Sequence, residues 1–329
     1  MRVIDSDKLF SVKSEEDFNN LALQIFHYQL LNNKVYNAFV NQFSINSNEI
    51  KHYTEIPFLP IEFFKSQEVI CGYRKSSDVI FTSSSTTSQI PSRHIVSNIS
   101  VYEKSFLKGF EYFYGNPNEY AIIALLPDYL ERKGSSLVYM FDKLIKLSNN
   151  NKSGFFINDY PKVKSVLSEL KKSNQKTILI GVTYALLDLA EEGVELSDNF
   201  IVMETGGMKG KRKELLKEEL HPFLKEKLNV SLIHSEYGMT ELLSQAYSKG
   251  NGLFACPPWM KVLVRDIEDP ISIAKQGKTG GLNIIDLANI NSCSFIATQD
   301  LGRLNSDQIF ELMGRFDNSD MRGCNLMVE

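Results

Sequence analysis

Apolar residues recur along this chain at two different spacings, and the change from one to the other divides it. Near the N-terminus the spacing is helical. Phe18, Leu21, Ala22, Ile25 and Phe26 share one face, preceded by a Ser14 and Asp17 pair with the form of a capping box. Tyr36, Phe39, Val40 and Phe43 continue the period until Pro57 and Pro60, in "EIPFLPIEFF", break it. Residues 1 to about 65 therefore read as mostly helical, with aromatic side chains that serve packing.

From about residue 120 continuous apolar runs take over. "YAIIALLP", "SGFFIND", "KTILIGVT", "NFIVMETGG" and "VSLIHSEYG" suit buried parallel strands, because a strand covered on both faces needs no polar alternation. Amphipathic or charged helical segments come between them: "GSSLVYMFDKLIKLS", "PKVKSVLSELKK" with Pro161 at its start, "YALLDLAEEG" and "KRKELLKEELHPFLKEKL". This alternation predicts an α/β fold, a doubly wound and mostly parallel sheet with helices on both faces. In such sheets ligands bind at the carboxyl ends of the strands. The last third reads differently. "KVLVRDI", "GGLNIIDLA", "CSFIATQDLGRL" and "IFELMGRFD" are short strands separated by turns, and predict a small, largely antiparallel β-rich subdomain. The expected division is a helical segment over 1–65 packed on the body, an α/β nucleotide-binding body over 66–250, and the β-rich part over 251–329, all one structural unit.

Composition narrows the function classes. The 329 residues are 43% hydrophobic and 23% charged with a formal net charge of -4, ordinary for a soluble globular protein. No basic surplus suggests nucleic acid. No apolar run approaches the ~20 residues of a membrane helix, and "MRVIDSDKLF" lacks a signal-peptide core, so a cytoplasmic location is expected. Cys71, Cys256, Cys293 and Cys324 form no C-x-x-C pair, and the five histidines form no H-E-x-x-H, so no zinc signature is present.

Four polar clusters fall at the ends of predicted strands. "DVIF" runs into "TSSSTTS", where hydroxyls and backbone N–H groups of Ser83, Ser84, Ser85, Thr86 and Thr87 can hold phosphate; a plain serine-rich loop has the same composition. "METGGMKGK" places Gly206 and Gly207 where backbone can approach a flat ligand, or simply turn. "SEYGMTE" joins Tyr237, Gly238, Thr240 and Glu241: a plane to stack on a base, a hydroxyl for a phosphate, and a hard oxygen ligand for Mg²⁺. "TQDLGR" and "GRFDNSDMRG" supply Asp300 for ribose hydroxyls, and Arg303 or Arg315 for phosphate or ribose oxygens.

Their order resembles the adenylate-forming superfamily of acyl-CoA ligases and luciferase. "FTSSSTTSQIPSRHIVS", "HSEYGMTELLSQAYS" and "GRFDNSDMRGCNL" are most similar to the LuxE-type acyl-protein synthetases and their phenylacetate-CoA ligase relatives. The resemblance runs from about residue 55 to the C-terminus and implies the N-terminal-domain fold of that superfamily. By resemblance, Ser83 to Thr87 hold ATP phosphates, Gly206 and Gly207 flank adenine, and Tyr237 stacks on it. Thr240 contacts the α-phosphate, Glu241 binds Mg²⁺, and Asp300 with Arg315 holds ribose. The implied reaction is attack of a carboxylate, in LuxE relatives that of a fatty acid, on the α-phosphorus of ATP.

Two departures from the family pattern matter. Ser85 and Ser88 stand where glycines are usual, and strain follows if φ is positive there. The superfamily ligases continue past the hinge motif into a lid domain with a catalytic lysine, whereas this sequence ends at Glu329, so an absent lid is expected. LuxE-type enzymes pass the acyl group to their own cysteine near the C-terminus, and Cys324, between Arg315, Arg322 and the end, is the matching residue or else a structural thiol. The expected activity is an ATP- and Mg²⁺-dependent acyl-protein synthetase, with an acyl carrier or acyl-reductase protein as partner and oligomeric state open. The alternatives are an acyl-CoA or aryl-CoA ligase whose lid comes from another chain, and a degenerate non-catalytic subunit of an acyl-transfer complex. Aromatics such as Phe110 to Tyr114 suit an acyl pocket or the core equally.

Overall fold

Ser14 caps its helix as the spacing predicts. Its hydroxyl accepts the Asp17 N–H at 3.1 Å, and the Asp17 carboxylate accepts the Ser14 N–H at 3.1 Å. The reciprocal pair satisfies two backbone donors that a helix start otherwise leaves without partners. The computed structural model describes residues 6–43, 45–83, 90–127, 134–157, 159–206, 217–269, 271–306 and 309–316.

Along the chain come α1 (Ser6–Leu9), α2 (Glu15–Asn32), α3 (Lys34–Val40), β1 (Leu59–Pro60), α4 (Phe63–Ser66), β2 (Val79–Thr82) and β3 (Arg93–Val96). The middle holds α5 (Ile99–Tyr114), β4 (Ala121–Leu125), α6 (Ser136–Ser148), β5 (Gly154–Phe155), α7 (Tyr160–Lys172), β6 (Thr177–Val182), α8 (Thr183–Glu191), β7 (Phe200–Thr205), α9 (Lys217–Leu228) and β8 (Ile233–Tyr237). The remainder is β9 (Ala246–Ser248), β10 (Leu253–Ala255), β11 (Met260–Arg265), β12 (Thr279–Asp286), β13 (Phe295–Ser306) and β14 (Ile309–Arg315). These elements divide between two units. Met1–Val79, Ser92–Asn98 and Pro258–Glu329 bound the first, and Ile80–Pro91 with Ile99–Pro257 the second.

The second unit is the α/β body. Its strands run in the order β10-β9-β8-β7-β6-β4-β5. From β8 to β5 every pairing is parallel, while β9 and β10 turn back antiparallel. Every residue of β4 and β6 is buried, which is why those strands read as unbroken apolar runs. Helix α5, which was not among the elements expected from the sequence, buries Phe106, Phe110 and Tyr114 and leaves Tyr112 61% exposed. The aromatics of this helix thus divide between core and surface.

The first unit is β-rich with a helical layer. β11, β12, β13 and β14 pair antiparallel in sequence order, and β1 lies parallel to the first half of β13 through Leu59↔Ile296. Helix α2 is fastened to the loop before β13. Gln29 Nε2 donates to the carbonyls of Asn289 at 3.0 Å and Ile290 at 3.1 Å, and its Oε1 accepts the Ser294 N–H at 3.0 Å. Hydrogen bonds to several partners offset the cost of burying the amide. Around it, Tyr36 stacks on Phe295 at 6.1 Å and Phe26 meets the same ring edge-on at 6.2 Å, so the N-terminal aromatics do serve packing. No helix among the described residues is long and apolar enough to cross a membrane.

Candidate active site

The carboxyl edge of the parallel strands is built by register. Val182 of β6 lies opposite Thr205 of β7, and Thr205 opposite Glu236 of β8. Gly206 and Tyr237 each follow by one residue, so the glycine and the aromatic leave neighbouring strands side by side, about one strand spacing apart. Gly206 takes φ +68°, a conformation that suits glycine and turns the chain sharply at the strand end. The Thr183 hydroxyl donates to the Gly206 carbonyl at 2.8 Å and ties this turn to the start of α8.

A buried polar link holds the two strand ends together. Thr205 Oγ1 donates to Glu236 Oε2 at 2.5 Å, and both residues are buried. Burial pushes the Glu236 carboxyl up to about 7, the nearby Glu204 carboxylate adds to the rise, and the Thr205 hydrogen bond partly opposes it. Glu204 is itself buried, with His221 Nε2 3.7 Å from its Oε1. The next turn depends on this carboxyl: a Cβ at Gly238 would stand 2.5 Å from Glu236 Oε1, so only glycine leaves the carboxyl in place.

Beyond Tyr237 the chain reverses into antiparallel β9, with Tyr237 paired to Ala246. The reversal keeps Gly238, Thr240 and Glu241 at the end of β8. The Leu242 N–H donates to the Met239 carbonyl at 3.1 Å, and Ser244 Oγ lies 2.9 Å from Ser105 Oγ of α5. Tyr237 is largely buried, its ring edge-on to Phe254 with centroids 6.0 Å apart. Glu241 is buried, while Thr240 is partly exposed. Ser83 follows β2 directly, and the strand end is fixed by Thr82, whose N–H donates to the Gly134 carbonyl at 2.8 Å. Ser84, Ser85, Thr86, Thr87 and Ser88 of the hydroxyl run, Gly207 of the glycine pair, and Arg322 and Cys324 lie outside the described residues.

In the first unit, Asp300 and Arg315 are cross-strand partners on β13 and β14, and Arg315 Nε donates to Asp300 Oδ1 at 2.8 Å. The aspartate is nearly buried, whereas the arginine side chain is 72% exposed. Arg303 is engaged with Glu311, its register partner, at 2.6 Å, and this bond helps hold the Glu311 carboxyl below its usual range. Sequence reasoning missed Arg265. Its Nη1 donates to the Leu282 carbonyl at 2.9 Å and to Asn283 Oδ1 at 3.0 Å, and its Nη2 to the Thr298 carbonyl at 2.5 Å. Asp300 is among the carboxylates whose charge favours this partly buried cation. A Cβ at Gly281 would stand 2.3 Å from the Arg265 Cζ, so the Gly280-Gly281 pair opposite an arginine was the available signal. Glu236 and Glu204 were missed as well, although a carboxylate inside an apolar strand run is a signal of its own.

Cys71 and Cys293 are poor nucleophiles. Burial pushes the Cys71 thiol up to about 12 and raises that of Cys293 as well, and their sulfurs donate to backbone carbonyls. Among the described residues no three His, Cys, Asp or Glu side chains converge as a metal centre.

Three comparisons bear on this geometry. The family described as "Acyl-protein synthetase, LuxE" matches residues 2–329. No curated protein sequence matches the chain. Among solved structures, ATP-bound MatB from Rhodopseudomonas palustris is similar with a TM-score of 0.55 and 16% identity, over 74% of this chain and 49% of that one. An open conformation of 2-hydroxyisobutyryl-CoA ligase in complex with 2-HIB-AMP and CoA is similar with a TM-score of 0.64 and 10% identity, over 92% of this chain and 75% of that one. The same ligase in its postadenylation state gives a TM-score of 0.67. At such identities the likeness is one of fold, and the chain spans about half the length of MatB. The chain shares its fold with these proteins and belongs to the LuxE acyl-protein synthetase family.

Proposed function

We propose that the protein activates a carboxylic acid, a fatty acid by family, as its acyl-adenylate and transfers the acyl group to a protein thiol. The observation that carries this reading is the paired strand end. Gly206 and Tyr237 emerge side by side from β7 and β8, with Thr240 and Glu241 in the reversal that follows. That edge offers a close-approach backbone and an aromatic plane for adenine, then a hydroxyl and a carboxylate within four residues for phosphate and cation.

In this reading the hydroxyls of Ser83 to Thr87 hold the β- and γ-phosphates, and Gly206, Gly207, Tyr237 and Gly238 enclose the base. In the first unit Arg315 holds the Asp300 carboxyl on β13, and Arg303, already paired with Glu311, steadies the same strand. A substrate carboxylate oxygen forms a bond to the α-phosphorus while the bond to the bridging oxygen breaks and pyrophosphate leaves. No proton has to move, so the protein's contribution is alignment and donors aimed at the transferring group, chiefly the Thr240 hydroxyl. Glu241 fits Mg²⁺, because a single carboxylate oxygen completed by phosphate oxygens and water is the ligand set that ion takes. When bound, the ion neutralises phosphate charge. In the second half-reaction a thiolate attacks the acyl carbonyl and AMP leaves. Cys324 is the proposed thiol, with Arg315 or Arg322 favouring its ionised form, and an acyl-reductase or carrier protein as the next acceptor.

ATP–pyrophosphate exchange across a panel of carboxylic acids tests the first half. Acid-dependent exchange is expected, and no exchange with any acid overturns it. Intact mass after incubation with acid, ATP and Mg²⁺ tests the second: one hydroxylamine-sensitive acyl adduct is expected, absent in Cys324→Ser while exchange persists. A product that forms only with CoA would instead mark a CoA ligase.

A further inference from the structure

A concavity in the first unit carries more positive charge than a chain of net charge -4 leads one to expect. It has a volume of about 500 Å³, and Phe64 and Ile70, both buried, form an apolar floor. Lys34, Lys65, Arg74 and Arg93 line it against a single carboxylate, Glu68. Glu68 Oε1 lies 3.0 Å from Arg74 Nη1 and 3.9 Å from Arg93 Nη2, so one acid orients two guanidinium groups and leaves most of the positive charge unneutralised. Cations around a concave, low-dielectric surface focus the field into it.

The walls are fixed by backbone. The Cys71 N–H donates to the Asn291 carbonyl at 2.9 Å and the Gly72 N–H to the Asn32 carbonyl at 2.8 Å. Gly72 takes φ +83°, and the turn it makes leaves the next residue, Tyr73, 78% exposed. Lys34 Nζ stands 4.9 Å from the centroid of that ring. An exposed phenol beside a cation, on a rim rich in arginine, joins a stacking plane to phosphate donors. The volume falls within the range of small-molecule sites.

We infer that this cavity binds a phosphorylated nucleoside, its phosphates between Arg74, Arg93 and Lys65 and its base on Tyr73. The inference stands apart from acid activation: none of these residues belongs to the proposed catalytic set, and the site exists whether or not the chain forms an adenylate.

Isothermal titration of the full chain with ADP, alone and against inorganic pyrophosphate, tests it. Two binding classes are expected. Arg74→Ser with Arg93→Ser should weaken one class by about tenfold per guanidinium lost and leave the other unchanged, while Tyr237→Ala should do the reverse. Lys65→Gln, a milder surface change, should weaken the same class as the arginine variant. Pyrophosphate should displace ADP from that class, and Tyr73→Ala should weaken ADP there without altering pyrophosphate. An ADP isotherm untouched by the arginine and lysine variants, or no competition by pyrophosphate, overturns the phosphate site. A Tyr73→Ala variant that binds ADP normally overturns the nucleoside part. Loss of the Tyr237-dependent class alone would instead count against the proposed adenylation site and leave this one standing.

Discussion

Two carboxyl groups on strands, Glu236 near the end of β8 in the second unit and Asp300 in the middle of β13 in the first, meet opposite treatment. Glu236 is buried beside another acid, its described bond comes from a neutral hydroxyl, and it is pushed up to about 7. Asp300 is nearly as buried but accepts from the Arg315 guanidinium, with Arg265 behind it. The contrast is one of partner rather than of burial, a neutral hydroxyl in one case and a guanidinium in the other. A carboxyl kept largely protonated below neutrality can link two strands without carrying charge into the core, whereas the Asp300 carboxyl ties β13 to β14 through a guanidinium. The first suits a structural support at the end of β8, the second a cross-strand tie.

The strongest way to break this comparison is at Glu241, the acid for which a direct chemical role is proposed. Glu241→Gln should keep the fold and lower acid-dependent pyrophosphate exchange by roughly two to three orders of magnitude, as expected for losing one preorganised group. Unchanged exchange would make Glu241 a structural carboxyl.

Next in size is the turn that depends on Glu236. Gly238→Ala puts a methyl carbon 2.5 Å from Glu236 Oε1 and 3.3 Å from Gln245 Cγ, and should cost about 1–3 kcal/mol in chemical denaturation. Much of that cost should disappear in a Glu236→Ala background, where the carboxyl no longer meets the new methyl. Simple additivity of the two changes would show that the turn does not depend on the carboxyl.

A pH titration of stability sharpens the contrast further. Because the folded value of Glu236 is raised from 4.5 to about 7, the folded state keeps a proton that the unfolded chain releases. Its contribution is full below about 4.5 and is lost as pH rises through 7, at roughly 1.4 kcal/mol per pH unit. His234, whose burial beside Lys249 lowers it to about 4, pulls the other way between 4 and its ordinary 6.5, with stability rising as pH rises. The expected result is therefore a difference: Glu236→Gln, which keeps an acceptor for Thr205, should lose the downward slope that the wild type shows relative to it. Parallel stability curves for the two proteins would rule out a raised Glu236.

The smallest effect belongs to the exposed partner. Arg315→Ala should change stability by less than about 1 kcal/mol, since its side chain is 72% exposed. Chemical denaturation beside the wild type measures it, and a loss well above about 1 kcal/mol would show that the Asp300–Arg315 bond carries more than an exposed pair should.

The sequence by itself determined which segments form strands, helices and turns over most of the chain, and the order in which the chemical motifs follow one another. These are local properties: a run such as "KTILIGVT" or the Ser14 and Asp17 pair carries its own reason within a few residues. Helix α5 was legible in the same way, since Val101, Phe106, Phe110 and Tyr114 fall on one buried face, yet it was not read out of the sequence. What only the tertiary structure decided depends on residues far apart in sequence. Thr205 meets Glu236 through parallel register, Arg303 is claimed by Glu311 through antiparallel register, and Gly281 leaves room for an arginine sixteen positions earlier. Protonation state, partner and free space are set by neighbours that a linear pattern does not bring together, and burial then magnifies the consequence of each pairing.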